Sequence, residues 1–207
     1  MRRTIPRIGQ TYEIILSTYD HAGRPNAAPM GIKFVSRKLI QIYMFKGSDT
    51  MINVLTKRCA VANLTSDANL FFKLALEKKK GLSANSFLKA RLVDAPHLRS
   101  VDGYIELTLI RSIPDNKGVM TEFSIKRFHW NYVAPTFYSR AAHALIESTI
   151  HATRVHEFLA QGKKKKASKL IHIINHYKEI VERVSPGSDY EKSIKKLQSR
   201  IKRWKRR

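Results

Sequence analysis

Asp20-His21-Ala22-Gly23-Arg24-Pro25-Asn26-Ala27-Ala28-Pro29-Met30-Gly31 is a turn cluster running straight into an extended segment with a proline inside it. Asp, Gly and Pro in the first half set a reversal. In the second half Pro29 cannot donate to a β-ladder, so the strand carrying it must lie at an edge or be interrupted there. Small side chains and Gly31 keep bulk low, which lets a planar ligand approach the backbone. A structural bulge at a barrel corner would use the same residues.

The flanking sequence supplies partners for that strand. Tyr12–Thr18 is rich in β-branched and apolar residues and reads as a strand. Asn26–Val35 and Lys38–Phe45 flank Ser36-Arg37 and predict a hairpin, although Ser-Arg is not a favoured turn dipeptide. Arg58–Leu64 predicts a fourth strand, and Gly103–Ile113 and Thr121–Val133 predict two longer ones about the strong turn Pro114–Gly118. Short helices are expected at Asp49–Lys57, with Met51, Val54 and Leu55 on one face, and from an Asp67 cap through Leu70, Phe71, Leu74 and Ala75 to Lys78-Lys79-Lys80-Gly81. Short antiparallel strands with interposed helices fit a closed or partly closed barrel.

Beyond it the composition changes. Ser139–Gln161 predicts a long helix ended by Gly162, followed by the run Lys163–Lys166. Residues 167–184 carry an apolar stripe of Leu170, Ile173, Ile174, Tyr177, Ile180, Val181 and Val184. Pro186-Gly187 breaks that helix, and Ser188 with Glu191 forms a capping box for a last one lined by Ile194, Leu197, Ile201 and Trp204. The expected class is α+β: a barrel domain over 1–136 and a basic, antiparallel three-helix region over 137–207.

Bulk properties narrow the function classes. The 207 residues are 43% hydrophobic, enough for a packed core. No run approaches the roughly 20 apolar residues of a spanning helix, and no apolar segment follows Met1-Arg2-Arg3-Thr4, so neither a membrane span nor a secretory signal is expected. Cys59 is the single cysteine and excludes a disulfide framework or thiolate cluster; a buried, inert thiol is expected. A cytoplasmic protein follows. The net charge is +23, and the last 57 residues carry +12 of it. Such a field attracts polyanions and anionic small molecules alike.

A second candidate ligand segment lies at Phe45-Lys46-Gly47-Ser48-Asp49-Thr50-Met51-Ile52-Asn53, where a strand end runs into a helix start. Helix N-termini present free N–H groups and partial positive charge, so a phosphate suits this place. Lys46 adds a full charge, and Ser48 and Thr50 add hydroxyls. Asp49 must point away or cap the helix. An ordinary capped helix would look the same, and no glycine-rich phosphate motif is present. Together the two segments offer an exposed strand edge followed by an anion-binding turn, the layout for a ring plus a phosphate.

At this point the chain resembles a known family. Thr18-Tyr19-Asp20 with Gly23 to Gly31 resembles the opening motif of domain-of-unknown-function family 447. The same holds for Lys46-x-Ser48-x-Thr50-x-x-Asn53, for Val61-Ala62-Asn63-Leu64-Thr65-x-Asp67, and for the helical stretch Arg140-x-x-His143-Ala144-x-Ile146-Glu147 through Ala152-Thr153-Arg154. That family is similar to flavin-reductase-like split barrels, which bind flavin mononucleotide (FMN) between the subunits of a homodimer. The resemblance implies that Ala28, Pro29, Met30 and Gly31, following Asn26, line the isoalloxazine. It implies that Lys46, Ser48, Thr50 and Asn53 hold the phosphate, with Asn63 and Thr65 nearby. It supplies a cofactor and no substrate, and the lysine-rich tail beyond residue 162 lies outside it.

Other constellations are weaker. His143, Glu147, His151 and Arg154 share a helix face, but ligands spread over about 12 Å at 1.5 Å per residue do not converge on a metal. Two of them could share an ion only with a partner subunit. Phe128, His129, Trp130 and Tyr132 beside Lys126 and Arg127 could stack nucleic-acid bases, whereas strand alternation favours burial or a dimer seam. Lys202-Arg203-Trp204-Lys205-Arg206-Arg207 could grip phosphates non-specifically or simply be a solvated terminus. The functional expectation is an FMN-binding split barrel, a flavin-dependent oxidoreductase of unknown substrate. The alternatives are a basic nucleic-acid-binding protein on a barrel scaffold and a non-catalytic flavin carrier.

Overall fold

The computed structural model describes residues 6, 8, 9, 11–77, 82–131 and 139–206. The expectations on Met1–Thr4, Lys78–Gly81, Tyr132, Val133 and Arg207 lie outside them. The chain divides into two compact units, one drawn from Met1–Thr65 and Leu82–Val133, the other from Ser66–Gly81 and Ala134–Arg207.

The first unit is a closed six-stranded barrel. Its strands are β1 (Thr11–Tyr19), β2 (Pro25–Phe34), β3 (Leu39–Phe45), β4 (Cys59–Leu64), β7 (Gly103–Pro114) and β8 (Gly118–Trp130), in the order β1-β2-β3-β8-β7-β4, all antiparallel. Alternation turns Ile14, Leu16, Ile32, Ile40, Ile42, Met44, Ile105, Leu107 and Phe123 inward, each nearly or fully buried. Helix α1 (Asp49–Lys57) joins β3 to β4 and adds Val54 to the same core. Its Leu55, expected on the core face, is 39% exposed; Thr50 and Asn53 are buried instead. A two-stranded ribbon, β5 (Phe87–Lys89) with β6 (Pro96–Leu98), was not legible beforehand. The segment carrying it supplies Ala90, Val93 and Ala95 to a small cluster with Cys59, Val61 and Tyr104. Cys59 is buried as expected, and that burial pushes its thiol up.

The second unit is helical: α2 (Ala68–Leu76), α3 (Arg140–Ala160), α4 (Lys164–Val184) and α5 (Asp189–Trp204). Side-chain caps start three of them, with Asp67, Ser139 and Ser188 accepting backbone N–H groups. Apolar stripes meet in one core of Leu145, Ala152, Val155, Ile174, Val181, Ile194, Leu197 and Ile201. Helix α2, placed with the barrel when read from sequence, packs here: Ala68 and Phe72 join this core, and Ser193 Oγ donates to Asn69 Oδ1 at 3.0 Å. The helix expected over 167–184 starts earlier: of the run Lys163–Lys166, Lys163 is the N-cap and Lys164–Lys166 form the first turn of α4.

Candidate functional site

β2 is paired unequally on its two sides. Against β1 it is paired over its length, from Pro25↔Tyr19 to Lys33↔Thr11. Against β3 it is paired only through Ile32↔Ile42, Lys33↔Gln41 and Phe34↔Ile40. Among the described residues Asn26–Gly31 therefore has no strand on its far side, and every residue from Pro25 to Gly31 is half-buried. The barrel wall opens along a seam, and Pro29 sits in it, where its missing N–H costs no ladder bond. At about 3.4 Å per residue the free edge runs for roughly 17 Å.

Gly31 is not demanded by the chain's own packing. A Cβ built there meets only Thr11 Cγ2 at 3.4 Å and Glu13 Oε1 at 3.6 Å, ordinary contacts. Register separates the other side chains of the seam. Asn26, Ala28 and Met30 lie opposite Thr18, Leu16 and Ile14 and share the inward face, while Ala27, Pro29 and Gly31 lie on the other.

The start of α1 lies at one end of this seam. Gly47 takes a positive φ of 77° in the tight turn closed by Ser48 N–H donating to Phe45 O at 3.2 Å. Lys46 N–H donates to Lys117 O at 2.9 Å, fixing the turn against the β7–β8 loop. Ser48 is the N-cap: its Oγ accepts Met51 N–H at 3.2 Å, and its carbonyl accepts Ile52 N–H at 3.1 Å. Among the described residues the N–H groups of Asp49 and Thr50 have no partner, and these are the donors an anion can take. Asn26 Nδ2 donates to Thr50 Oγ1 at 3.1 Å, and Asn53 Nδ2 donates to Thr18 Oγ1 at 3.0 Å. Two amides thus tie the first turns of α1 to β2 and β1. Ser48 and Thr50 use their hydroxyl oxygens as acceptors in these bonds, so each keeps an O–H hydrogen to donate. Lys46 is exposed, and its ammonium forms no ion pair among the described residues.

The structure also brings in residues whose part in the site the sequence did not signal. A cleft of about 520 Å³ beside the helix start is lined by Asp20, His21, Arg24, Pro25, Asn26, Asp49, Ile52 and Asn53. Asp20 organises its rim: Oδ1 accepts Ala22 N–H at 2.9 Å and Arg24 N–H at 2.8 Å, and Oδ2 accepts Arg24 Nε at 2.7 Å. Those bonds, the Arg24 backbone N–H foremost, hold the Asp20 carboxyl below the usual range. Arg24 remains largely exposed and adds a cation to the cleft. Thr18, buried under Asn53, is a further anchor.

Asn63 is used differently from the rest of the predicted set. It is fully buried on β4; its Nδ2 donates to Ile15 O at 2.9 Å and Ser17 Oγ at 2.8 Å, and its Oδ1 accepts Leu98 N–H at 2.7 Å. Its polar atoms are committed to holding β1, β4 and β6 together. Thr65, half-buried, follows the end of β4.

The remaining constellations resolve simply. His151 stacks on Tyr177 with ring centroids 6.2 Å apart, while His143 and Glu147 are exposed. Phe128 packs against the barrel core and stacks on Trp130 at 6.1 Å, and Trp130 is 40% exposed rather than buried.

Two family models account for most of the chain. The N-terminal domain of a protein of unknown function (DUF447) matches residues 12–134, and the second DUF447 model matches residues 139–203. Among solved structures, the chain is similar to an FMN-bound DUF447 protein from Methanosarcina mazei, with 25% identity and a TM-score of 0.74 over 93% of this chain and 95% of that one. It shares its barrel with flavoredoxin of Desulfovibrio vulgaris (Miyazaki F), at 19% identity and TM-score 0.50 over 63% and 77% of the two chains. It shares it also with flavoredoxin from Methanosarcina acetivorans, at 11% identity and TM-score 0.52 over 57% and 68%.

Proposed function

The chain belongs to the DUF447 family, and on that premise we propose that it binds flavin mononucleotide along the β2 seam and serves as a flavin-dependent oxidoreductase. One observation carries the reading: a strand edge left unpaired over Asn26–Gly31 begins one hydrogen bond away from a helix start with two unpartnered N–H groups. In this reading the isoalloxazine lies along Ala28, Pro29, Met30 and Gly31, where bare backbone N–H and C=O groups meet its heteroatoms. The phosphate sits at the start of α1, taken by the Asp49 and Thr50 N–H groups, the Ser48 and Thr50 hydroxyls and the Lys46 ammonium. Asn26 and Asn53 position that turn by holding it to β2 and β1. Bound flavin supplies hydride or electron transfer, and the polypeptide supplies orientation and electrostatics.

The partner in this reading is a second copy of the chain, with flavin at the subunit interface. Support comes from the outer face of β3, β8 and β7. There Tyr43, Met120 and Ile113 stand in one cross-strand row beside Phe45; Phe45 is 58%, Ile113 52% and Met120 37% exposed. Exposed apolar side chains gathered on neighbouring strands mark an association surface.

The test is a parallel titration with FMN and riboflavin, followed by fluorescence quenching. FMN should bind at least tenfold more tightly, because riboflavin lacks the phosphate that the helix start would hold. Equal affinities would remove the phosphate assignment. Anaerobic mixing of the loaded protein with a reduced nicotinamide cofactor then separates reductase from carrier: bleaching near 450 nm supports the former.

A further inference from the structure

Helix α5 has two sides of opposite character. Ile194, Leu197 and Ile201 are buried in the helical core and fix its orientation. The outer side lines a depression of about 410 Å³ with Lys192, Lys196, Ser199, Arg200 and Arg203, closed by Glu77 after α2. Lys195 also lines it, but its ammonium is held by Glu191 at 2.5 Å. Among the described residues Lys192 is bound only to exposed Asp189 at 2.9 Å, and Lys196 reaches Glu77 at no better than 3.9 Å. Arg200 and Arg203 form no ion pair among the described residues.

We propose that this face binds the phosphodiester backbone of nucleic acid without reading sequence. Three features select that ligand. Lys192, Lys196, Arg200 and Arg203 recur at intervals of four, four and three residues, about one cation per helical turn over roughly 16 Å at 1.5 Å per residue. A row of that length is too extended for one phosphate and suits a chain of them. Apart from the Glu77 carboxylate at its edge, which faces Lys196 at 3.9 Å, the lining holds only cationic side chains and one hydroxyl, the groups that contact phosphates. A protein partner would ask for an apolar or aromatic centre, and this face has none. Finally, Trp204, the aromatic beside these cations, packs on the helical core and against His156 at 4.8 Å, and the lining itself holds no aromatic on which bases could stack. The proposal is independent of the flavin reading, because none of these residues belongs to the seam or the α1 turn.

Four phosphate contacts give a slope near −3.6 for log affinity against log salt on duplex DNA, hence roughly a 150-fold loss between 50 and 200 mM. The experiment measures fluorescence anisotropy of labelled duplexes of random sequence, one DNA and one RNA, with the full-length chain. The triple variant Lys196→Gln, Arg200→Gln, Arg203→Gln should flatten the slope to about −0.9 and cut the salt effect to roughly fourfold. Its FMN affinity should match the parent's, and its far-UV spectrum confirms folding. A control variant Arg37→Gln, Lys117→Gln, Lys126→Gln removes the same charge from the barrel unit and should leave the slope unchanged. If the triple variant fails to fold, Arg200→Gln with Arg203→Gln should still lower the slope by about 2. Two results overturn the proposal: an unchanged slope in the α5 variant, or equal competition by polyglutamate, which would assign the face to acidic protein. The DNA and RNA arms identify which duplex is preferred.

Discussion

Replacing Thr50 by valine isolates the hydroxyl that the proposed phosphate site shares with its own scaffold. Thr50 is 2% exposed, so a side chain of nearly equal volume keeps the packing of α1 on the barrel. The change deletes the acceptor of the Asn26 Nδ2 bond at 3.1 Å and the O–H hydrogen left over for an anion. Asn26 is only half-buried, so its amide can turn to water, and the folded state should lose about 0.5–1.5 kcal/mol, the ordinary net value of one hydrogen bond. Binding should suffer more. A hydrogen bond to a charged phosphate contributes about 1.5–3 kcal/mol, which corresponds to roughly a 10- to 150-fold weaker FMN dissociation constant. Riboflavin affinity should stay within about twofold of the parent, since the loss is confined to the phosphate. Denaturant titration gives the first number and flavin fluorescence the other two. An FMN affinity unchanged in a stably folded variant would refute the placing of the phosphate at this turn. A parallel fall for riboflavin would mean that the substitution had disturbed the seam instead.

Three further substitutions probe the same account. Gly31→Ala meets only ordinary contacts within the chain, so stability should hold or rise by about 0.5 kcal/mol, while FMN affinity falls at least tenfold if bare backbone faces the ring; an unaffected affinity would contradict that role. Asn63→Ala strands the buried Leu98 N–H and removes the ties to β1, so it should cost about 2–4 kcal/mol in denaturant unfolding, yet leave FMN affinity nearly unchanged well below the transition. In the helical unit, desolvation foremost holds His151 below the usual histidine range, so the unfolded chain binds the extra proton first as pH falls. Stability should therefore decline from pH 7.5 toward pH 5.5, and His151→Phe, which keeps the ring on Tyr177, should reduce that decline when melting temperatures are compared.

What could be read in advance was local chemistry. The barrel strands show their alternation, and Asp67 and Ser188 cap their helices as their side-chain oxygens suggested, whereas the caps Ser48 and Ser139 emerge only from the structure. Pro29 announced an interrupted ladder, and the pairing of β2 shows the interruption. Other features depend on residues distant in sequence. β5 and β6 are three residues each, too short to show a period, and they pair across the Ala90–Ala95 turn. The resemblance sets Asn63 near the phosphate, and nothing local reveals that its side-chain carbonyl receives an N–H from Leu98, 35 positions on. The allegiance of α2 rests on an apolar face that fits either unit until Phe72 is seen among the residues of α3, α4 and α5. Leu55 followed the helical period of α1 yet faces outward, because Thr50 and Asn53 take the inner side for their hydrogen bonds to β2 and β1.

The central claim is that the seam beside α1 holds FMN in a two-chain assembly, and native mass spectrometry of the protein as purified tests it most directly. The account predicts a dimer whose mass exceeds that of two chains by two flavin mononucleotides, released as FMN on denaturation. A monomer without flavin, which stays at its apo mass after incubation with excess FMN, would contradict it.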